Sequence, residues 1–304
     1  MTDAQQPILP GAAVGFAGLG RMGWPMAARR AAAGDRGTGY DISPAARGAW
    51  AAETGAAAAA DPAGAAAGAA AVVLMVPDSA AVRAVIGQPG FLGALAPGAV
   101  VVDMSSSVPQ VTRELAATVA AHGAAMVDAP VSGGVSGARQ GSLTVMAGGA
   151  PGDVSRVRPL LEVLGSRVLH VGGPGAGHAV KALNNLMSAA HLMVTSEAMA
   201  AAARFGLDIP TVLDAVNTSS GRSGSTENKW PNFIVPRSFG SGFALSLMLK
   251  DMRIALGLVE SAGLPSTLSA AAVALWAEAA AALPGDADHT EIARWVDPGL
   301  TPGE

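Results

Sequence analysis

The hexapeptide Gly18-Leu19-Gly20-Arg21-Met22-Gly23 constrains the fold of this chain more than any other feature. It is a G-x-G-x-x-G that directly follows an apolar run, residues 13–17, and opens a stretch of helical periodicity, residues 21–33. A strand, a glycine turn and a helix N-terminus in that order begin a βαβ unit. Gly18 suits the tight turn, Gly20 the close approach of a pyrophosphate to the backbone, and Gly23 the contact of helix with strand. Leu19, Arg21 and Met22 between them place backbone N–H groups and the positive end of the helix dipole toward phosphate oxygens. With 39 glycines in 304 residues a chance match somewhere is expected, so the placement between strand and helix carries the argument. Asp41 adds to it: a carboxylate at the end of the next short strand, residues 37–40, is placed to accept bonds from a ribose diol. The implied ligand is a dinucleotide. Ile42-Ser43-Pro44 follow Asp41 with no cation, so a 2′-phosphate would meet like charge there and NAD is expected in preference to NADP.

Continuous apolar runs recur through the first half, at residues 71–76, 100–104, 126–128 and 143–147. Val76 and Pro77 close the first of these and are expected to line the cofactor. The Ala-rich stretches between the runs favour helix, and Ser43-Pro44 supplies an N-cap and a first-turn proline. Residues 56–60 and 63–71 read as a short strand and a covering helix. Apolar strands alternating with helices specify a mainly parallel sheet covered on both faces. Aromatics are only 4% of the chain, so the core is built from Ala, Val, Leu and Met. The pattern changes at Gly172-Gly173-Pro174-Gly175-Ala176-Gly177, a glycine-rich connector. Beyond it come a long helical stretch, residues 179–204, and further helical segments near 209–216, 244–261, 267–283 and 291–296. Met187, Met193 and Met199 read as core positions of the long stretch. The expected division is an α/β domain over residues 1–175 and an all-α domain over 176–304, in line with about 150 residues per domain.

Several functions are excluded. A net charge of −4 gives no reason to expect a nucleic-acid partner, and the absence of cysteine removes thiolate catalysis and cysteine-ligated metals. His122, His170, His178, His191 and His289 show no metal-ligand spacing; Asp288-His289-Thr290-Glu291 reads as a helix start with acids in its first turn. Met1-Thr2-Asp3 lacks the basic start of a signal peptide, and no run of about 18 apolar residues would span a membrane. A cytoplasmic protein is expected, and the Ala- and Leu-rich helices of its second half suggest a homodimer or homotetramer.

Five motifs in order resemble the β-hydroxyacid dehydrogenases, typified by 3-hydroxyisobutyrate dehydrogenase and tartronate semialdehyde reductase. They are residues 14–23 around the glycine loop; Asp103-Met104-Ser105-Ser106-Ser107-Val108-Pro109; Asp128-Ala129-Pro130-Val131-Ser132-Gly133-Gly134, continuing to Met146; Gly175-Ala176-Gly177-His178-Ala179-Val180-Lys181-Ala182-Leu183-Asn184-Asn185; and Lys250-Asp251-Met252. The resemblance implies a doubly wound Rossmann domain followed by an all-α domain with a long interdomain helix. It implies that Ser106 and Lys250 touch the cofactor, that Ser132, Gly133 and Gly134 hold a substrate carboxylate, and that Lys181 and Asn185 serve the chemistry. Gly221-Arg222-Ser223-Gly224 departs from the family, with glycine where many 3-hydroxyisobutyrate dehydrogenases carry tryptophan. That leaves room for a more polar substrate.

The residues themselves support those roles. Oxidising an alcohol needs a base for the hydroxyl proton, and a lysine serves if burial or a nearby positive charge draws its pKa down. A solitary lysine is ordinarily a solvated one, but this chain has only Lys181, Lys229 and Lys250. Asn185 lies one helical turn after Lys181, where an amide can orient the lysine or bind the hydroxyl. Asn184 is placed to line the same wall. Adjacent glycines at Gly133-Gly134 leave N–H groups open to a carboxylate, and Arg222 is a candidate second clamp. The expected activity is hydride transfer between a nicotinamide cofactor and a small 3-hydroxy acid or its semialdehyde. Imine reductases of the same architecture usually lack a lysine at the position of Lys181, and a non-catalytic NAD-binding scaffold would have no use for it.

Overall fold

The computed structural model describes residues 6–301; Met1, Thr2 and Asp3, on which the signal-peptide argument rests, lie outside them. The chain divides into two compact units, Met1–Lys181 and Ala182–Glu304.

The first unit begins as the glycine motif requires. β1 (Ala13–Ala17) leads through the loop into α1 (Gly23–Ala32), followed by β2 (Arg36–Tyr40), α2 (Pro44–Thr54), the two-residue β3 (Ala57–Ala58) and α3 (Pro62–Ala66). Next come β4 (Ala71–Leu74), α4 (Ser79–Ile86), α5 (Phe91–Ala94), β5 (Val100–Asp103) and α6 (Pro109–Ala120). The unit is completed by β6 (Ala125–Asp128), β7 (Val131–Ser132), α7 (Gly134–Gln140), β8 (Thr144–Gly148), α8 (Pro151–Leu164) and β9 (Arg167–Gly172). The strands form one sheet in the order β3-β2-β1-β4-β5-β6-β8-β7, with β9 paired to β8. The run from β3 to β6 is parallel; β8 is antiparallel to β6 and β7. Chain order reverses beside β1, which lies between β2 and β4, and the glycine loop therefore sits at the switch point of a doubly wound sheet.

The central strands are buried on both faces. Ala71 and Val73 of β4 join Phe16, Trp50 and Val102 on one side, while Val72 and Leu74 join Ile86, Phe91 and Val101 on the other. Alternation within a continuous apolar run is what a sheet covered on both sides demands. Short side chains start the helices: Ser43 accepts from Ala46 N ahead of Pro44, Asp61 from Gly64 N and Asp78 from Ala81 N.

In the second unit the ladder gives way to helices. α9 (Ala176–Arg204) is 29 residues long and runs from the end of the first unit into the second. It is followed by α10 (Ile209–Asn217), a π-helix (Ser225–Ile234), α11 (Leu245–Ser261), α12 (Thr267–Ala282), a 3₁₀ turn (His289–Glu291) and α13 (Ile292–Val296). The core gathers Leu192, Leu213, Trp230, Ile234, Met252 and Trp276. No helix among the described residues is long and apolar enough to cross a membrane.

Two sequence expectations need correction, and two helical segments were not anticipated. The covering helix expected over residues 63–71 is only α3, because Ala67 turns extended and Gly68 takes a φ of +68°. α8 went unread because Pro151 and Pro159 look like breakers; Pro151 instead begins the helix and Pro159 lies within it. The π-helix was also unread. Pro231 lies inside it and removes an N–H, and the wider turn closes with Val235 N donating to Trp230 O at 2.8 Å. Met193 and Met199 are core residues as expected, but Met187 is 55% exposed.

Candidate active site

The first unit brings its site segments to one edge of the sheet. The glycine loop, Val76-Pro77, Ser105-Ser106-Ser107 and Ala129-Pro130 all follow the C-terminal ends of neighbouring parallel strands, β1, β4, β5 and β6. Gly18 holds a φ of +99°, and a Cβ there would come within 2.1 Å of Met75 O. A Cβ on Gly23 would lie 1.8 Å from Gly18 O, so α1 can start only where it does. Gly20 is different: nothing lies within 4 Å of its Cβ position, so its backbone is open to approach. Asp41 follows β2 and ties the loop down, accepting from Leu19 N at 2.7 Å and Ser43 N at 2.8 Å. Arg21 and Met22 complete the loop before α1.

Two further loops are fixed by hydroxyls. Ser105 Oγ accepts from Val76 N at 3.0 Å, joining the loops after β4 and β5. Ser107 Oγ donates to Asp103 at 3.1 Å, and Ser105 N donates to the same carboxylate at 3.0 Å. Ser106, between two buried neighbours, is half-buried, as is Val76, while Pro77 is exposed. Ser132 ends β7, and Gly133 and Gly134 turn the chain into α7 with φ of +128° and +62°.

Sequence reasoning did not find the apparatus that holds the start of α9. Asp128 ends β6 and is 1% exposed; its carboxylate accepts from Gly175 N at 2.8 Å and His178 N at 3.0 Å. The fit allows no side chain at position 177, where a Cβ would meet Met146 O at 2.2 Å. The buried His178 ring lies 2.8 Å from Thr112 Oγ1 and 3.1 Å from Ser105 O. A ring nitrogen facing a carbonyl donates to it, so Nε2 carries a proton; Nδ1 pairs with Thr112 Oγ1, which also donates to Val108 O at 3.3 Å. His178 thus joins the first turn of α9 to the Ser105 loop, and Lys181 follows one turn later on the same helix. An acid ending a wholly apolar strand was the available signal for both Asp103 and Asp128.

In the second unit Asn184, Asn185, Asp251 and Lys250 come together. Asn185 is buried and its Nδ2 donates to Asp251 Oδ2 at 2.7 Å, while Asn184 Nδ2 donates to Asn185 Oδ1 at 3.2 Å. Lys250 Nζ pairs with Asp251 Oδ1 at 3.3 Å. Asp251 was quoted within a motif, but its role was not read. Arg222 does not join this group in any contact of the structure. It is exposed, lies 3.7 Å from Glu227, and lines an open polar depression of about 550 Å³ with Asn217, Thr218, Ser219 and Ser220.

Elsewhere in this unit Asp288 caps the 3₁₀ turn through Thr290, as the sequence implied, and also holds a loop through Ser241 Oγ, Gly242 N and Phe243 N. Burial opposes its charge. The bonds from His289 and Thr290 outweigh that and hold the carboxyl well below its usual range. Lys229 is pulled down by burial, with the Asp288 charge opposing.

Residues 13–172 match the family model of the NAD-binding domain of 6-phosphogluconate dehydrogenase, and residues 175–296 match that of the NAD-binding domain of NADP-dependent 3-hydroxyisobutyrate dehydrogenase. The chain is 35% identical to 2-(hydroxymethyl)glutarate dehydrogenase of Eubacterium barkeri over 86% of its own length and 87% of the relative's. It is 34% identical to 3-hydroxyisobutyrate dehydrogenase of Pseudomonas aeruginosa, covering 91% and 94% of the two chains. A solved structure of Mycobacterium tuberculosis 3-hydroxyisobutyrate dehydrogenase with L-serine superposes with a TM-score of 0.88 at 31% identity, covering 94% and 99%. The doubly wound sheet with its glycine switch point defines a dinucleotide-binding oxidoreductase, and this chain belongs to the β-hydroxyacid dehydrogenase family. It acts on the hydroxyl group of small hydroxy acids.

Proposed function

We propose that the chain reversibly oxidises the β-hydroxyl of a small 3-hydroxy acid to the semialdehyde, using NAD in preference to NADP and Lys181 as acid and base. The observation that carries this reading is the setting of α9. Its first turn is held by Asp128 and His178, Lys181 follows one turn on, and Asn185, one turn further, is buried with its amide engaged at both ends. The substrates named for the relatives, 2-(hydroxymethyl)glutarate and 3-hydroxyisobutyrate, and the L-serine of the solved structure share a hydroxymethyl carbon β to a carboxylate.

In this reading the dinucleotide lies along residues 18–23, with Gly20 open to its phosphates and Asp41 facing the ribose. Val76, Pro77, Ser106 and Lys250 contribute the rest of the cofactor lining. A bound nicotinamide supplies the acceptor for the hydrogen of the carbinol carbon. Lys181 Nζ, once neutral, takes the hydroxyl proton, and in the reverse direction it returns it. Ser132, Gly133 and Gly134 hold the carboxylate, while Asn184 and Arg222 serve the remaining polar groups of the substrate. The functional division falls at residues 1–175 for the dinucleotide and 176–304 for substrate and association. Val180, Leu183, Met187 and Val194 form an exposed apolar stripe on α9, which supports a homodimer or homotetramer. A dehydrogenase drawing on the nicotinamide pool is placed, in this reading, in the cytoplasm.

A panel of small 3-hydroxy acids, followed by nicotinamide absorbance, tests the proposal. The wild type is expected to reduce NAD with at least one of them, faster as pH rises and the base loses its proton. Lys181→Ala is expected to lower kcat by about two to four orders of magnitude while NADH still binds. A variant within threefold of wild type would remove Lys181 from the chemistry. Equal turnover of an acid and its uncharged amide would remove carboxylate recognition.

A further inference from the structure

Asp251 is 1% exposed and sits inside α11 with no part in the reaction as described. Its neighbours give it one. Oδ2 accepts from Asn185 Nδ2 at 2.7 Å, and Oδ1 faces Lys250 Nζ at 3.3 Å without a well-aligned hydrogen bond. We infer that Asp251 is a positioning residue that fixes which end of the Asn185 amide is offered to substrate and ties that setting to Lys250.

The argument is one of donors and acceptors. The two ends of a side-chain amide have nearly the same shape, so packing alone does not choose between its two flips. An ionised carboxylate chooses, because it only accepts. Nδ2 must face Asp251, and Oδ1 must face the other way. There Oδ1 takes one bond from Asn184 Nδ2 at 3.2 Å, and an amide oxygen has a second lone pair. Asn185 therefore offers an acceptor, suited to an alcohol hydroxyl or a lysine ammonium. Its oxygen end cannot donate to a carbonyl; the only N–H left over is the second one on Nδ2, at the end that Asp251 holds. The same carboxylate holds Lys250, so one buried charge sets both a residue assigned to substrate and a residue assigned to cofactor. This inference rests on the proposed roles of Asn185 and Lys250 and adds the group that aligns them.

An exchange of the pair tests it. Asn185→Asp sets two carboxylates face to face and is expected to lower both kcat, by at least tenfold, and the melting temperature of the cofactor-free protein. Adding Asp251→Asn restores one donor and one acceptor, with an oxygen still presented outward. The double variant is expected to regain most of the kcat and the melting temperature. Asp251→Asn, alone or in the pair, removes the charge opposite Lys250 and is expected to weaken NADH binding three- to tenfold by calorimetry. A double variant no more active than Asn185→Asp overturns the inference. So does recovery of melting temperature without kcat, which would leave a merely structural pair. If the wild type oxidises none of the acids, the proposed function fails but the clamp is still judged: Asp251→Asn binding NADH as tightly as wild type, or no melting recovery in the double variant, overturns it.

Discussion

The two units use carboxylates differently. In the first, Asp41, Asp103 and Asp128 stand at or just past the ends of parallel strands, and each accepts backbone N–H groups from the segment it must place. In the second, Asp251 sits in mid-helix and accepts from a side chain, and Asp288 gathers a loop of the second unit. The first arrangement fixes main chain, so its residues are bound up with the fold. The second fixes the orientation of side chains on helices that are already formed by their apolar faces. Removing a strand-end acid should therefore act on stability first, whereas removing Asp251 should act on alignment.

The sharpest way to break that contrast is Asp128→Ala. It strands two buried N–H groups, those of Gly175 and His178, at the point where α9 begins. Each unsatisfied buried donor costs about 1–3 kcal/mol, so a loss of roughly 3–5 kcal/mol is expected by denaturant unfolding. Asp128→Asn should recover only part, because its amide end presents a donor to one of those donors. If Asp128→Ala lowers kcat while leaving stability within 1 kcal/mol (about the scale of one ordinary hydrogen bond), strand-end acids are not holding the fold.

Asp288→Ala is expected to have a smaller effect, about 2–3 kcal/mol at neutral pH, from several charge-assisted bonds at a partly solvated site. The sign with pH follows from its lowered pKa. A carboxyl bound more tightly as the anion in the folded state stabilises it above the ordinary value of 3.8, and that contribution fades as pH falls below it. The difference in stability between wild type and Asp288→Ala should thus be full at pH 7 and shrink toward pH 2–3. A difference that does not change with pH would mean that packing, not charge, is what Asp288 supplies.

The contrast also explains what could be read from the sequence. Glycines that avoid a backbone collision leave a spaced pattern, so the loop at residues 18–23 was legible in the sequence, whereas the start of α9 was expected at residue 179 and lies at Ala176, because Gly175-Ala176-Gly177 resembles a connector. The short β7 and the more exposed β9 were not read, whereas β4 and β5 were legible because they bury both faces and permit only apolar residues. The role of Asp128 was not, since its partners are N–H groups 47 and 50 residues away that any residue type could supply. Asn185 and Asp251, 66 residues apart, carry no periodic signal that pairs them. α8 and the π-helix were hidden because Pro159 and Pro231 are tolerated by local geometry that a propensity scale does not contain. Gly133 shows the limit of a designed substitution. A Cβ there would lie 3.2 Å from Leu143 Cδ2 at a φ of +128°, so Gly133→Val would strain the turn as well as crowd an anion. Ser132→Ala is the cleaner probe of carboxylate binding.

The smallest expected effect concerns cofactor choice, where the structure sharpens the sequence argument. Asp41 is held by Leu19 N and Ser43 N, one on each oxygen, which leaves further lone pairs for ribose hydroxyls. Arg47 lies in the first turn of α2. In the structure its guanidinium folds back, donating to Asp41 O at 2.7 Å and lying 5.9 Å over the Tyr40 ring. A cation is therefore present beside the carboxylate, but it is already engaged with main chain. NAD should remain preferred by at least about tenfold in kcat/KM, about 1.4 kcal/mol of differential binding. Asp41→Ala frees the Leu19 N–H and should slow both cofactors, so the ratio is the quantity to read. That ratio should fall because NADP loses a repulsion and gains Arg47 as a partner for its 2′-phosphate. Asp41→Ala with Arg47→Ala should then lose the gain for NADP and leave NAD where the single variant left it. Steady-state kinetics with both cofactors separate the cases: a wild type that prefers NADP would place the carboxylate away from the ribose, and a double variant as good with NADP as Asp41→Ala would show that Arg47 plays no part.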